Sequence, residues 1–208
     1  MARRVVVALL GPVAWTPPGI DPTRWRTALA EDVVDLLATL NEVETAVAVT
    51  AGDRWLADAV VWPDMTVYDV ATSTVNAVFA AVTAAGGGGR TGYEQAAVVA
   101  ADAPDVPGLT LGKLLRPLTS RPVAVAPVEG AGPGLLGVAS RLPVPEWLPA
   151  VDLDTAVPAD LRADAPHPGD VAVTTGWRRL RGPADLGTLD PAFEGWEATR
   201  ALLSGHTG

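Results

Sequence analysis

The chain has 208 residues, enough for one globular domain with a sizeable core and short for two. Apolar residues make up 49% and charged ones 19%, which argues against disorder. With 24 acidic against 15 basic residues the net charge is −9, and an acidic surface repels phosphate backbones, so nucleic-acid binding is disfavoured. There is no cysteine, which removes disulfides, thiolate zinc sites and thiol nucleophiles; His167 and His206 alone leave little for histidine-based catalysis.

In chain order, Arg3-Arg4 followed by the apolar run 5–10 could pass for a signal peptide. The run is short, and Gly11-Pro12 ends it without a small-x-small site, so it reads as a buried first strand, 4–10. Nothing approaches the ~18–20 apolar residues of a membrane span, and the expected location is the cytoplasm. Asp21-Pro22 supplies an N-cap with proline at the first helical position, and Trp25, Ala28, Leu29, Val33, Leu36, Leu37 and Leu40 recur at helical spacing. Residues 45–50 read as a second strand, 59–62 as a short third, and 67–85 as a helix with a Val67, Val70, Val75, Val78, Phe79, Val82 stripe. Gly86–Gly89 leads from a helix into a strand. That is the wrong polarity for a phosphate-cradling loop, so it reads as a connection. A continuous apolar strand at 96–101, a helix at 109–118 and strands at 122–127 and 134–139 follow. The stretch after Pro143 is rich in Pro and Asp, with a strand at 171–174 and a helix near 191–203. This alternation predicts an α/β fold with a largely parallel sheet in one domain, its C-terminal third irregular.

The residues richest in chemistry are Ala101-Asp102-Ala103-Pro104-Asp105-Val106-Pro107, directly after the buried strand 96–101. Ligands of open α/β sheets sit beyond the carboxyl ends of strands, where a carboxylate can hold Mg²⁺ against nucleotide phosphates. The alternative is that Asp102 or Asp105 caps the helix starting near Leu109.

This strand–D-A-P-D-V-P–helix segment, with the downstream P-V-A-V-A-P-V-E-G-A-G-P-G-L-L-G-V, resembles the GT-A-type nucleotidyltransferases and glycosyltransferases. More narrowly, it resembles the small bacterial glycosyltransferase A-like proteins and the related 2-phospholactate guanylyltransferase. The resemblance implies a three-layer, Rossmann-like nucleotide-diphospho-sugar transferase fold. It further implies Mg²⁺ or Mn²⁺ on Asp102, which would be both metal ligand and catalytic residue, a nucleotide or nucleotide-sugar donor, a small-molecule acceptor, and a homodimer. Sharp matching covers about residues 96–140.

Three departures bear on chemistry. The family's phosphate-facing lysine loop, ending K-T-R-L, is matched by Pro22-Thr23-Arg24-Trp25, with proline in place of the lysine. Arg24 and Arg26, beside Gly11 of the first loop, are then the candidate phosphate partners, or else solvated surface arginines. The family's D-G-G turn becomes Glu129-Gly130-Ala131-Gly132. Glu129, Gly130 and Gly132, with Asp105, are candidate substrate contacts; the alternative is a plain glycine-rich hairpin turn.

The family's closing D-x-D-T-P-E-D-L has two competing matches. Asp152-Leu-Asp154-Thr155 keeps the acids but comes early, whereas Arg179-Leu180-Arg181-Gly182-Pro183-Ala184-Asp185-Leu186 fits by position and puts arginines where the acids belong. An arginine there would repel a divalent cation and could pair with an anion directly. Trp177 with Arg178, Arg179 and Arg181 is a local concentration of positive charge, either an anion site or an ion-pair network with nearby acids. Trp25 and Trp55 are expected to pack on the core. Two functions follow: a metal-dependent nucleotidyl- or glycosyltransferase, or a catalytically degenerate relative acting as a binding or regulatory subunit.

Overall fold

A computed structural model describes residues 2–86, 92–130 and 132–205. Seven strands form one sheet in the order β3-β2-β1-β4-β6-β5-β7. They are β1 (Arg4–Leu9), β2 (Glu44–Thr50), β3 (Thr66–Val70), β4 (Gln95–Ala100), β5 (Val123–Pro127), β6 (Leu135–Arg141) and β7 (Val171–Val173). The helices are α1 (Pro22–Ala38), α2 (Arg54–Val60), α3 (Val75–Gly86), α4 (Gly108–Leu115), α5 (Pro158–Asp164), α6 (Pro183–Leu186) and α7 (Glu197–Leu203).

The central strands are apolar without interruption because both faces of the sheet are covered. Val5, Val7, Leu9, Ala96, Val98 and Ala100 pack into the layer that holds Val75, Val78, Phe79 and Leu161. Val6, Ala8, Ala97 and Val99 pack into the opposite layer with Val33, Val34, Leu37, Leu56 and Leu111. A smaller cluster joins Trp25 and Leu29 of α1 to Leu180, with Leu186, Leu189, Leu202 and Leu203 against it, so the C-terminal segment folds back over the start of the chain. α1 begins where its cap signal places it: the Asp21 carboxylate accepts a hydrogen bond from the Arg24 amide at 2.9 Å.

Two assignments need correction. The run at 59–62 is not a strand; Leu56, Ala57 and Val60 are buried on one side of α2, which ends at Val60. The third strand is β3, and the helix begins at Val75, eight residues after Val67. Tyr68 and Val70 are buried while Asp69 between them is exposed, an alternation that the helical reading of Val67 and Val70 overlooked. Five residues of β3 pair in parallel with β2, which supplies the hydrogen bonds that make this short segment a strand. The segment Gly86–Gly89 lies outside the described residues from 87 onward.

The sheet is mostly parallel, with β6 antiparallel to both neighbours, β4 and β5. The loop 128–134 between β5 and β6 is too short for a parallel crossover, which needs about a dozen residues, so β6 must return as a hairpin partner. Gly130 and Gly132 turn it with φ of 117° and 118°. No helix among the described residues is long and apolar enough to cross a membrane.

Candidate functional site

A cleft of about 110 Å³ opens over the carboxyl ends of β1 and β4. Leu9, Gly11, Pro12 and Val13 form one wall, Ala100, Ala101 and Asp102 the floor, and Ser73, Asp152, Leu153, Asp154 and Arg179 the remainder. The topology makes this place. β1 and β4 are parallel neighbours, so the loops after them leave the same edge side by side.

Asp102 and Asp105 are both buried, at 3% and 4% exposure, and neither caps α4, whose N-cap is Pro107 with no side-chain bond. Each is met by the segment 177–181. This segment runs beside the end of β5, where the Glu129 amide donates to the Trp177 carbonyl at 3.0 Å, and it docks on the acidic loop through Leu180 N–H to the Asp102 carbonyl at 2.8 Å. Asp105 accepts from Trp177 Nε1 at 3.0 Å and from Arg178 Nε at 2.9 Å, with Arg178 Nη2 as a further donor.

Asp102 is held by Arg179 on both oxygens: Nε to Oδ1 at 2.5 Å and Nη2 to Oδ2 at 2.9 Å. The second Nη2 proton goes to Asp154 Oδ1 at 2.6 Å, and Nη1 donates to the carbonyls of Leu135 at 3.1 Å and Leu153 at 2.9 Å. All five N–H donors of this guanidinium are committed. Burial disfavours its charge, yet Asp102 and Asp154 outweigh that and hold its pKa above the ordinary arginine value.

The two competing matches, the acidic 152–155 and the arginine-bearing 179–186, therefore meet at one place. Asp152 and Asp154 line the cleft, and Arg179 fills the space between Asp102 and Asp154. Within the arginine concentration, Arg178 and Arg179 form an ion-pair network with Asp105, Asp102 and Asp154, whereas the Arg181 guanidinium donates to the main-chain carbonyls of Pro133 and Asp154. A divalent cation at Asp102 does not fit this donor set, because both oxygens it would take are turned onto N–H groups. Among the described residues no group of three or more His, Asp or Glu side chains is disposed to hold a metal ion.

The other sequence candidates are dispersed. Gly11 is in the cleft wall, and Arg26 acts on it indirectly: Nη2 donates to the Gly11 carbonyl at 3.1 Å and to Asp53 Oδ1 at 2.7 Å. The same guanidinium lies over the half-exposed Trp55 ring at 5.3 Å, whereas Trp25 is fully buried. Arg24 lines a different groove, between α1 and α7. Glu129, Gly130 and Gly132 are exposed on the β5–β6 loop and do not line the cleft. Ala131 lies outside the described residues. That loop is fixed from the other side by Arg181, whose Nη2 donates to the Pro133 carbonyl at 2.7 Å; a Cβ on Gly134 would meet Arg181 Nη1 at 2.6 Å. Ser73, which follows β3, carries no signal in the sequence that would place it at the cleft.

No family model matches the sequence, and no curated protein matches it. Solved structures do. A protein from Desulfovibrio desulfuricans G20 described as a nucleotide-diphospho-sugar transferase superposes with a TM-score of 0.64 at 15% identity, covering 99% of each chain. Rv0371c from Mycobacterium tuberculosis H37Rv, in complex with manganese, gives 0.54 at 15% identity over 91% of this chain and 98% of that one. CMP:2-keto-3-deoxy-manno-octonic acid synthetase complexed with CTP gives 0.52 at 14% identity over 99% of both. With that sheet order, that antiparallel sixth strand and these neighbours, the chain has the nucleotide-diphospho-sugar transferase fold of the GT-A type.

Proposed function

We propose that the cleft over β1 and β4 receives a nucleotide or nucleotide sugar, and that the chain acts in the cytoplasm as a nucleotidyl- or glycosyltransferase toward a small acceptor. The observation that carries this reading is the gathering of Asp102, Asp152 and Asp154 beside the β1 loop at the carboxyl edge of the sheet. Catalysis in such a site is chiefly alignment of donor and acceptor with neutralisation of developing charge. Gly11 would face the donor, positioned by Arg26. Glu129, Gly130 and Gly132, at the tip of the β5–β6 loop, would reach a bound acceptor or sugar from outside the cleft. Asp105 is tied to Trp177 and Arg178 and would act by holding the floor in place. A homodimer belongs to the same reading.

The metal-dependent form of the reaction asks Asp102 to ligate the ion, and the Arg179 pair stands against it. That pair favours the second reading, a binding or regulatory protein on the same fold. So does the charge of the lining, three carboxylates against one guanidinium whose N–H groups are all used.

Thermal unfolding with GTP, CTP, UTP, UDP-glucose and GDP-mannose, each with EDTA, Mg²⁺ or Mn²⁺, tests donor binding. A ligand at 100 times its Kd adds about 2.7 kcal/mol, a rise of several degrees. A rise with one nucleotide, followed by its turnover with an acceptor, establishes the transferase. The same rise without turnover establishes the binding protein, and no rise with any compound overturns donor binding for this panel.

A further inference from the structure

Arg179 is more than one member of an ion-pair network, and what it does is independent of whether the cleft takes a nucleotide. Two carboxylates, Asp102 and Asp154, and two main-chain carbonyls, of Leu135 and Leu153, converge on its guanidinium. These are hard oxygen donors, the kind that surround a divalent cation. They come from three places in the chain: the loop after β4, the start of β6, and two adjacent residues of the irregular stretch that follows. Such convergence on one positive charge is the arrangement of a cation site. Here the cation belongs to the chain. Its side chain is 5% exposed, and a guanidinium cannot lose its proton in a protein, so it neither dissociates nor titrates away as a bound ion would.

The local sequence explains how it is held there. Leu180, the next residue, is buried against Trp25 and Leu29 on the other side of the segment, and its N–H is bonded to the Asp102 carbonyl. Arg178, the residue before, points the opposite way to Asp105. With both flanking side chains and the intervening backbone fixed, the Arg179 side chain has one direction left to take.

We propose that Arg179 is a resident cation occupying the place of a divalent metal at Asp102, and that Asp102 consequently binds no metal in this chain. Its removal leaves a cage of hard oxygens that accepts Mn²⁺. Whatever binds in the cleft does so without a metal held by Asp102, and a loss of nucleotide response in EDTA would have to come from an ion carried elsewhere.

The test uses the full chain and Mn²⁺ alone, with no nucleotide, so that its failure is separable from failure of donor binding. Free Mn²⁺ is followed by electron paramagnetic resonance, and unfolding by circular dichroism. The wild type and Asp102→Asn are expected to give superimposable Mn²⁺ titrations. Arg179→Met is expected to melt well below the wild type in EDTA, and to recover several degrees with Mn²⁺ while retaining the ion. The Asp102→Asn/Arg179→Met double variant loses that retention. Mn²⁺ retained by the wild type and lost in Asp102→Asn overturns the proposal, as does an Arg179→Met variant that is folded yet takes up no Mn²⁺. Should Arg179→Met not fold under either condition, the wild-type and Asp102→Asn comparison decides by itself.

Discussion

At the scale of single residues, the buried pair of Asp102 and Arg179 is held in place by what its loss would leave behind. Bringing two charges out of water costs several kcal/mol each, and their attraction repays this only when hydrogen bonds fill the remaining valences. Here they do on the arginine side, where every N–H has an acceptor. Removing one partner strands the other. Arg179→Met is therefore expected to destabilise the chain by about 3–5 kcal/mol in the absence of metal, read from urea unfolding. Asp102→Asn should cost less, because Asp154 still faces the guanidinium. The two losses should be markedly less than additive in the double variant, since the residues share one network.

At the scale of elements, α7 is a seven-residue helix that owes its position to α1. Two of its first-turn amides, Ala198 N–H and Thr199 N–H, donate to the Asp32 carboxylate at 2.9 Å each. Asp32 is 2% exposed, and burial pushes its pKa from 3.8 up to about 6 despite those hydrogen bonds. The folded state thus holds this proton more tightly than the unfolded chain between the two values. The Asp32 contribution to stability grows as pH falls from 6 toward 4 and is lost as pH rises through about 6, at about 1.4 kcal/mol per pKa unit. Melting temperatures measured from pH 7 to pH 4.5 should show this gain in the wild type relative to Asp32→Asn, which has no proton to bind in that window. A parallel profile for the two proteins would refute the assignment.

At the scale of the whole molecule, the segment after α6 closes the fold over its own beginning. Leu189, Leu202 and Leu203 cover Trp25 and Leu29, and the buried Trp196 starts α7. Ending the chain at Gly187 removes that cover. The truncated protein is expected to melt several degrees lower and to show red-shifted tryptophan emission as water reaches Trp25. Unchanged emission would mean that this segment contributes little to the core.

The strand and helix order was legible where the signal lies between neighbours in sequence. The Asp21-Pro22 cap, the 3.6-residue stripe of α1 and the unbroken apolar β4 each specify their own conformation, because hydrogen bonding and burial there follow from residues a few positions apart. The sequence also marks the Asp102 loop as the place for chemistry and singles out both Asp152-Leu-Asp154 and the arginines at 178–181. It does not tell β3 from the start of a helix, since five residues become a strand only when β2 lies beside them. Nor does it choose between the acidic match at 152–155 and the arginine-bearing one at 179–186. Asp102 and Arg179 are 77 residues apart, and their contact exists because β5, pairing with both β6 and β7, brings the segment after β7 back to the end of β4. Composition and periodicity thus determine an α/β chain with a carboxylate at the sheet edge. Only the tertiary structure decides that this carboxylate meets an arginine, because the charge that neutralises it is set by distance in space, which local sequence does not encode.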